Sequence, residues 1–229
     1  MRRIVVLNPK GGSGKTTLAT NLASYYARRG LKTALMDFDN QGSSTHWLEQ
    51  RAPTLPPIQC IAAYKTPAGV TRSWFLRVQP GTERVITDTP AALDFRHFRE
   101  TLSEASAIVI PVLPSDIDIR AVSNCIGDLM SNTKIQWQER RIAVVANRVR
   151  RNTVIYQKLV YFLNSLKIPF IATLRDTQNY IRVAEHGRGI FDVAPSHVRE
   201  DLASWEPLLE WIESRDAPQT SPSGRIVQL

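Results

Sequence analysis

The chain has 229 residues, 43% apolar and 22% charged, with a formal net charge of +8. That length supports one large hydrophobic core and not two. Cys60 and Cys125 lie far apart with no Cys-x-x-Cys, which excludes a disulfide scaffold and a thiolate metal cluster and suits a reducing compartment. His46, His97, His186 and His197 lack metal-ligand spacing. No apolar run has the length of a signal-peptide core or a membrane span, so the chain reads as cytoplasmic.

The first predicted element is a buried strand over residues 3–8. Residues 10–17 follow as Lys-Gly-Gly-Ser-Gly-Lys-Thr-Thr, and residues 15–29 read as a helix with Leu18, Leu22, Tyr25 and Tyr26 on its apolar side. A strand, a glycine loop and a helix N-terminus make a phosphate cradle. Gly11, Gly12 and Gly14 let the backbone turn and aim its N–H groups inward, and the helix end adds unpaired N–H groups and partial positive charge. Lys15 stands where a P-loop lysine meets the β- and γ-phosphates, and Thr16 where a hydroxyl ligates Mg²⁺. The standard pattern wants glycine at position 9; this chain has Pro9, and a second lysine at Lys10.

Further strands are predicted at Thr33–Met36, Arg84–Thr87, Ile108–Leu113, Ile142–Asn147 and Phe170–Leu174, with a short one at Ile58–Ala62 after the breaks at Pro53, Pro56 and Pro57. Helices are predicted over Thr71–Val78, over Asp116–Met130 behind the N-cap residue Ser115, and over Asp201–Glu213. Alternation of this kind predicts an α/β fold, a doubly wound, mostly parallel sheet with helices on both faces. Ligands then sit at the carboxyl ends of the strands, where Asn8, Asp37, Asp88 and Asn147 all fall. Cys60 and Cys125 read as core residues, and Trp47 and Trp74 as core residues or as contacts to a partner. Residues 1–213 read as one domain and 214–229, rich in Pro, Ser, Thr and Gly, as a disordered tail.

The octet at 10–17, the run Asp37-Phe38-Asp39-Asn40-Gln41-Gly42-Ser43 and the run Asp88-Thr89-Pro90-Ala91, in that order, resemble the deviant Walker-A ATPases of the ParA/MinD family. The resemblance implies a P-loop ATPase with ATP and Mg²⁺ as cofactors. It implies that Gly11, Gly12, Ser13, Gly14, Lys15, Thr16 and Thr17 hold the phosphates, and that Lys10 reaches the partner's nucleotide across a sandwich homodimer. It further implies that Thr16 holds Mg²⁺ directly and Asp88 through water, that Asp39 orients the attacking water, and that Asp37 supports the switch loop. Asp37 and Asp39 also suit turn residues at a strand end. Asn147 matches the family's adenine-reading asparagine, since an amide both donates and accepts; an ordinary strand-end asparagine fits nearly as well. Arg148 falls beside it, and Asp116 and Arg120 fall where the family meets its dimer partner.

All the excess charge lies in residues 140–199, which hold 11 Lys/Arg and 3 Asp/Glu. A localised basic patch is the footprint of a polyanion; a solvated basic face is the plainer reading. Without a helix-turn-helix or zinc motif, readout is of phosphates, without sequence preference. With ParA-type dimers as the guide, Arg150, Arg151, Arg182 and Arg199 are the candidate contacts to nonspecific nucleoid DNA. The resemblance implies hydrolysis stimulated by a cargo adaptor protein, the cargo being a plasmid, a chromosome or a microcompartment such as a carboxysome. Residues 1–9 leave no room for the N-terminal DNA-binding domain of longer plasmid proteins. The alternatives are a MinD-like membrane-cycling division regulator and a non-hydrolysing nucleotide-dependent scaffold. The acidic polar residues of 201–213 point away from a membrane helix.

Overall fold

A computed structural model describes residues 1–65, 76–133, 141–150, 153–165 and 170–214. Seven strands form one sheet: β1 (Arg2–Val6), β2 (Thr33–Asp37), β3 (Ile58–Ala62), β4 (Arg84–Asp88), β5 (Ala107–Val112), β6 (Ile142–Val149) and β7 (Phe170–Arg175). Their order is β3-β2-β4-β1-β5-β6-β7, and every pairing is parallel. The helices are α1 (Lys15–Arg28), α2 (Ser43–Glu49), α3 (Arg99–Ser103), α4 (Asp116–Asn132), α5 (Val154–Ser165), α6 (Asn179–Ala184) and α7 (Pro195–Glu213).

Successive strand residues face opposite sides. Val5, Ala34, Met36, Ile108 and Ile110 therefore pack against α4 and α5, while Ile4, Val6, Leu35, Ile86 and Val109 pack against α1 and α7. Strands covered on both faces read as unbroken apolar runs, which is why β2 and β5 are buried end to end. The apolar stripe predicted for the last helix docks on the second face through Trp205, Leu208, Leu209, Trp211 and Ile212. Trp205 Nε1 donates to Tyr180 Oη at 2.9 Å, joining α7 to α6. That helix starts earlier than expected because Pro195 occupies its first turn and the chain kinks at non-helical Val198.

Ser115 caps α4 by accepting the Asp118 N–H at 3.1 Å. Trp47 is core and donates to the Arg188 carbonyl at 3.1 Å. Beside it, Arg51 and Asp192 form a buried two-pronged ion pair at 2.7 and 3.1 Å, which fastens segment 187–192 to the end of α2. Cys125 is buried, but Cys60 is exposed. The expectation of a core role for Cys60 is corrected, because β3 is the edge strand of the sheet. Trp74 with residues 71–75 of the helix predicted over Thr71–Val78, and the tail from residue 215 onward, lie outside the described residues; residues 76–78 are described and are not helical.

Candidate functional site

The central strand β1 runs straight into the glycine loop. Leu7 continues the ladder by donating to Val109 O at 3.1 Å, and then Asn8 turns the chain. Asn8 is buried; its amide donates to the Pro111 carbonyl and its Oδ1 accepts the Lys10 N–H at 2.8 Å. Gly12 and Gly14 adopt left-handed conformations, φ 76° and 92°. A Cβ on Gly14 would lie 2.0 Å from Asn147 Nδ2. Gly14 also starts α1 without a side-chain cap, so the first N–H groups of that helix point into the loop.

Lys15 folds back over this concavity, and its ammonium donates to the Lys10 carbonyl at 3.1 Å. Burial lowers its pKa, against the pull of the Asp88 and Asp39 carboxylates. Thr16 Oγ1 donates to Asp88 Oδ2 at 2.8 Å. Burial raises the Asp88 pKa to about 7, opposed by the Thr16 hydrogen bond, and Asp88 Oδ1 is buried without a hydrogen-bond partner. These are hard oxygen donors of the kind Mg²⁺ takes. Among the described residues no group of three or more His, Cys, Asp or Glu could hold an ion alone. The Thr16 hydroxyl and the Asp88 carboxylate, at the mouth of a glycine loop that presents N–H groups, fit a hard divalent cation.

Asp37 and Asp88 are register partners on adjacent strands. Asp37 is buried and accepts both the N–H and the hydroxyl of Thr45 at 2.8 Å, and the Asp39 N–H at 3.1 Å. It bolts loop 38–42 and the start of α2 to the end of β2. Asp39 stays partly exposed at the loop, its Oδ1 accepting the Gln41 N–H at 3.0 Å. Lys15, Thr16, Asp39 and Asp88 thus gather at the loop mouth.

Lys10 sits on the outer side. Its ammonium pairs with Asp118 Oδ2 of the same chain at 2.7 Å; Asp118 is buried at the first turn of α4, where Ser115 also bonds it. Sequence reading missed Asp118 as a partner; the signal was a Ser-x-x-Asp pair at a helix start. Asp116, Ile117 and Arg120 are exposed around it.

On the other side of the loop lies a cavity of about 190 Å³ whose lining includes Gly12, Gly14, Asn147, Arg148, Arg175 and Asp176. Asn147 is buried beside the loop; Nδ2 donates to the Ser13 carbonyl at 2.9 Å and Oδ1 accepts the Arg148 N–H at 3.0 Å. Arg148 is the single non-glycine residue with positive φ, 52°, among the described residues. Such a backbone costs energy and persists where surroundings impose it.

Of the candidate polyanion contacts, Arg150 is exposed and pairs with Asp176 at 3.3 Å. Arg182 on α6 and Arg199 on α7 are exposed. The two helices are joined by Asn179 Nδ2 donating to Asp201 Oδ2 at 2.6 Å. Arg151 lies outside the described residues, as do Arg140 and Lys167. Arg141 donates to the Ser103 and Ala105 carbonyls, and Arg175 pairs with Glu200 and Asp201, so part of the basic stretch is tied into the fold.

Comparison with known proteins agrees with this geometry. The family model of the CobQ/CobB/MinD/ParA nucleotide binding domain matches residues 4–190. The chain is 28% identical over 191 residues to the maintenance of carboxysome distribution protein A of Halothiobacillus neapolitanus, covering 83% of this chain and 87% of the relative. Its fold is similar to a plasmid partition protein of Borrelia burgdorferi B31 bound to AMPPNP, with TM-score 0.71, 16% identity, and 92% and 99% of the two chains covered. It is also similar to a Cyanothece McdA–ATP complex, with TM-score 0.69, 14% identity, and 96% and 98% covered.

Proposed function

The chain belongs to the CobQ/CobB/MinD/ParA nucleotide-binding family as a P-loop ATPase, and we propose that it positions a cargo by cycling on and off DNA. ATP binding joins two copies face to face. The dimer holds nonspecific DNA through the exposed arginines Arg150, Arg182 and Arg199, with Arg151 as a further candidate. Hydrolysis, stimulated by a cargo adaptor protein, releases it.

The observation that carries this reading is the division of labour between two lysines on one loop. Lys15 is turned into the loop mouth and Lys10 outward onto α4. Phosphoryl transfer depends on positioning and charge neutralisation more than on covalent help. Lys15 neutralises the phosphates of its own subunit, while Lys10 leaves Asp118 and reaches the nucleotide of the facing copy. Asp39 orients the attacking water. Mg²⁺, when bound, neutralises charge on the β- and γ-phosphates; Thr16 would hold it directly and Asp88 through water. The cavity beside Gly14 suits the nucleoside, with Asn147 at its wall.

Cargo is the least local part of the reading. The similarity to a carboxysome distribution protein spans most of both chains, which favours a protein microcompartment over a plasmid or chromosome. Among the described residues no helix is long and apolar enough to cross a membrane, and α7 uses its apolar face for packing.

The test is nonspecific DNA binding at fixed moderate salt with ATP, ADP or no nucleotide. Coupling requires that ATP favour the DNA-competent state differentially, typically by about 5–150-fold. Equal affinity in all three states refutes the proposal.

A further inference from the structure

Ser44, the second residue of α2, lies outside the residues assigned so far. Its side chain is fully buried, and its Oγ makes no hydrogen bond. The hydroxyl lies against the Asp88 carboxylate, near enough to favour the charged form but not closed into a bond. Asp88 Oδ1 is likewise buried and unpartnered, while Oδ2 takes the Thr16 hydroxyl. Buried polar atoms are nearly always paired, so two neighbouring orphan oxygens need explaining.

The placement is not accidental packing. Asp37 and Asp88 sit side by side at the ends of β2 and β4. Thr45 gives Asp37 both its N–H and its hydroxyl. That fixes the first turn of α2, and the residue before Thr45 is thereby set against Asp88. Asp37 is satisfied by α2 on Oδ2 and by the Asp39 N–H on Oδ1; Asp88 keeps a free oxygen, with the Ser44 hydroxyl against its carboxylate.

We propose that Ser44 is a metal-positioning residue, its hydroxyl and Asp88 Oδ1 together holding one water of a nucleotide-bound divalent cation. This rests on the reading of the site as a Mg²⁺–nucleotide site. Mg²⁺ sheds water reluctantly and keeps several in protein sites. A water on a cation has its lone pair committed to the metal and two protons to donate. A carboxylate oxygen and a hydroxyl oxygen, both acceptors, match it. Ser44 acts through that water and touches no reacting atom.

The experiment measures binding of a fluorescent ATP analogue to the full chain while Mg²⁺ is titrated. In Ser44→Ala the Mg²⁺ midpoint rises about 10–100-fold. Affinity in EDTA and the nucleotide-free melting temperature stay at the wild-type values. Ser44→Cys, close in shape with a weaker hydrogen-bonding group, gives an intermediate midpoint and serves alone if the alanine variant does not fold. An unchanged midpoint overturns the assignment. So does an equal loss of affinity with and without Mg²⁺, which makes the hydroxyl merely structural. If wild type binds the analogue without regard to Mg²⁺, the metal reading of the whole site fails, and this inference with it.

Discussion

Asp88 makes the nucleotide-free protein less stable as pH rises, and the size of the effect follows from its burial. The carboxyl is 1% exposed, and its pKa stands at about 7 against an ordinary 3.8. Between those values the folded chain keeps a proton that the unfolded chain has lost, so stability falls as pH rises and is level outside the window. A difference of about 3 in pKa, at about 1.4 kcal/mol for each, comes to about 4 kcal/mol once the group is fully ionised. Over a third of that is already lost by about pH 5, leaving a loss of about 2–3 kcal/mol between about pH 5 and pH 8.

Other groups titrate in the same range, so the comparison is with Asp88→Asn, whose amide oxygen still accepts the Thr16 hydroxyl. The assay is urea unfolding in EDTA without nucleotide at several pH values. Asp88→Asn gains on wild type by about 2–3 kcal/mol from about pH 5 to pH 8. A difference between the two that is flat with pH refutes the claim that Asp88 is held near neutrality by burial. Since Mg²⁺ binding wants the ionised carboxylate, its affinity in wild type rises over the same window.

Gly14→Ala places a methyl 2.0 Å from Asn147 Nδ2 at a left-handed φ; it lowers stability by about 1–3 kcal/mol and abolishes nucleotide binding, read by melting temperature and analogue fluorescence. Arg51→Ala leaves the Asp192 carboxylate buried without its cation and costs about 3–5 kcal/mol, measured by urea unfolding. Lys10→Ala leaves the buried Asp118 to Ser115 alone and so lowers stability without unfolding the chain, but removes ATP-dependent dimers in analytical ultracentrifugation; dimers that persist with ATP refute the role in trans.

What the sequence made legible is what local chemistry dictates. The glycines and lysines of 10–17 have few other uses at a strand–helix junction, and the apolar runs of β2 and β5 admit few readings besides strands buried on both faces. Ile58–Ala62 was bounded by the prolines before it. The rest depends on the topology. Nothing in the neighbourhood of Lys10 announces Asp118, since the pair exists only because β1 and β5 are adjacent and α4 starts where β5 ends. Ser44 comes against Asp88 because the register of β2 and β4 sets Asp37 beside Asp88 and Thr45 ties the start of α2 to Asp37. Cys60 is exposed because β3 is an edge, a property of sheet order and not of residue type.

The basic stretch shows the same limit from the other direction. A charge excess is a sum along the chain, whereas a polyanion meets only the cations that face it and are not already occupied. Arg141 is tied to backbone carbonyls and Arg175 to two acids on α7. Arg150 is exposed but shares Asp176 with Arg148. An exposed pair of this kind is worth only about 0–1 kcal/mol, so a phosphate can displace Asp176 at small cost. On the proposed reading Arg150, Arg182 and Arg199 stay candidate contacts, and Lys158 and Arg188 are exposed in the same stretch; neutralising any one true contact weakens DNA binding about equally on all sequences and lowers the salt slope by about 1. A loss confined to particular sequences would mean that base edges, not phosphates, are being read.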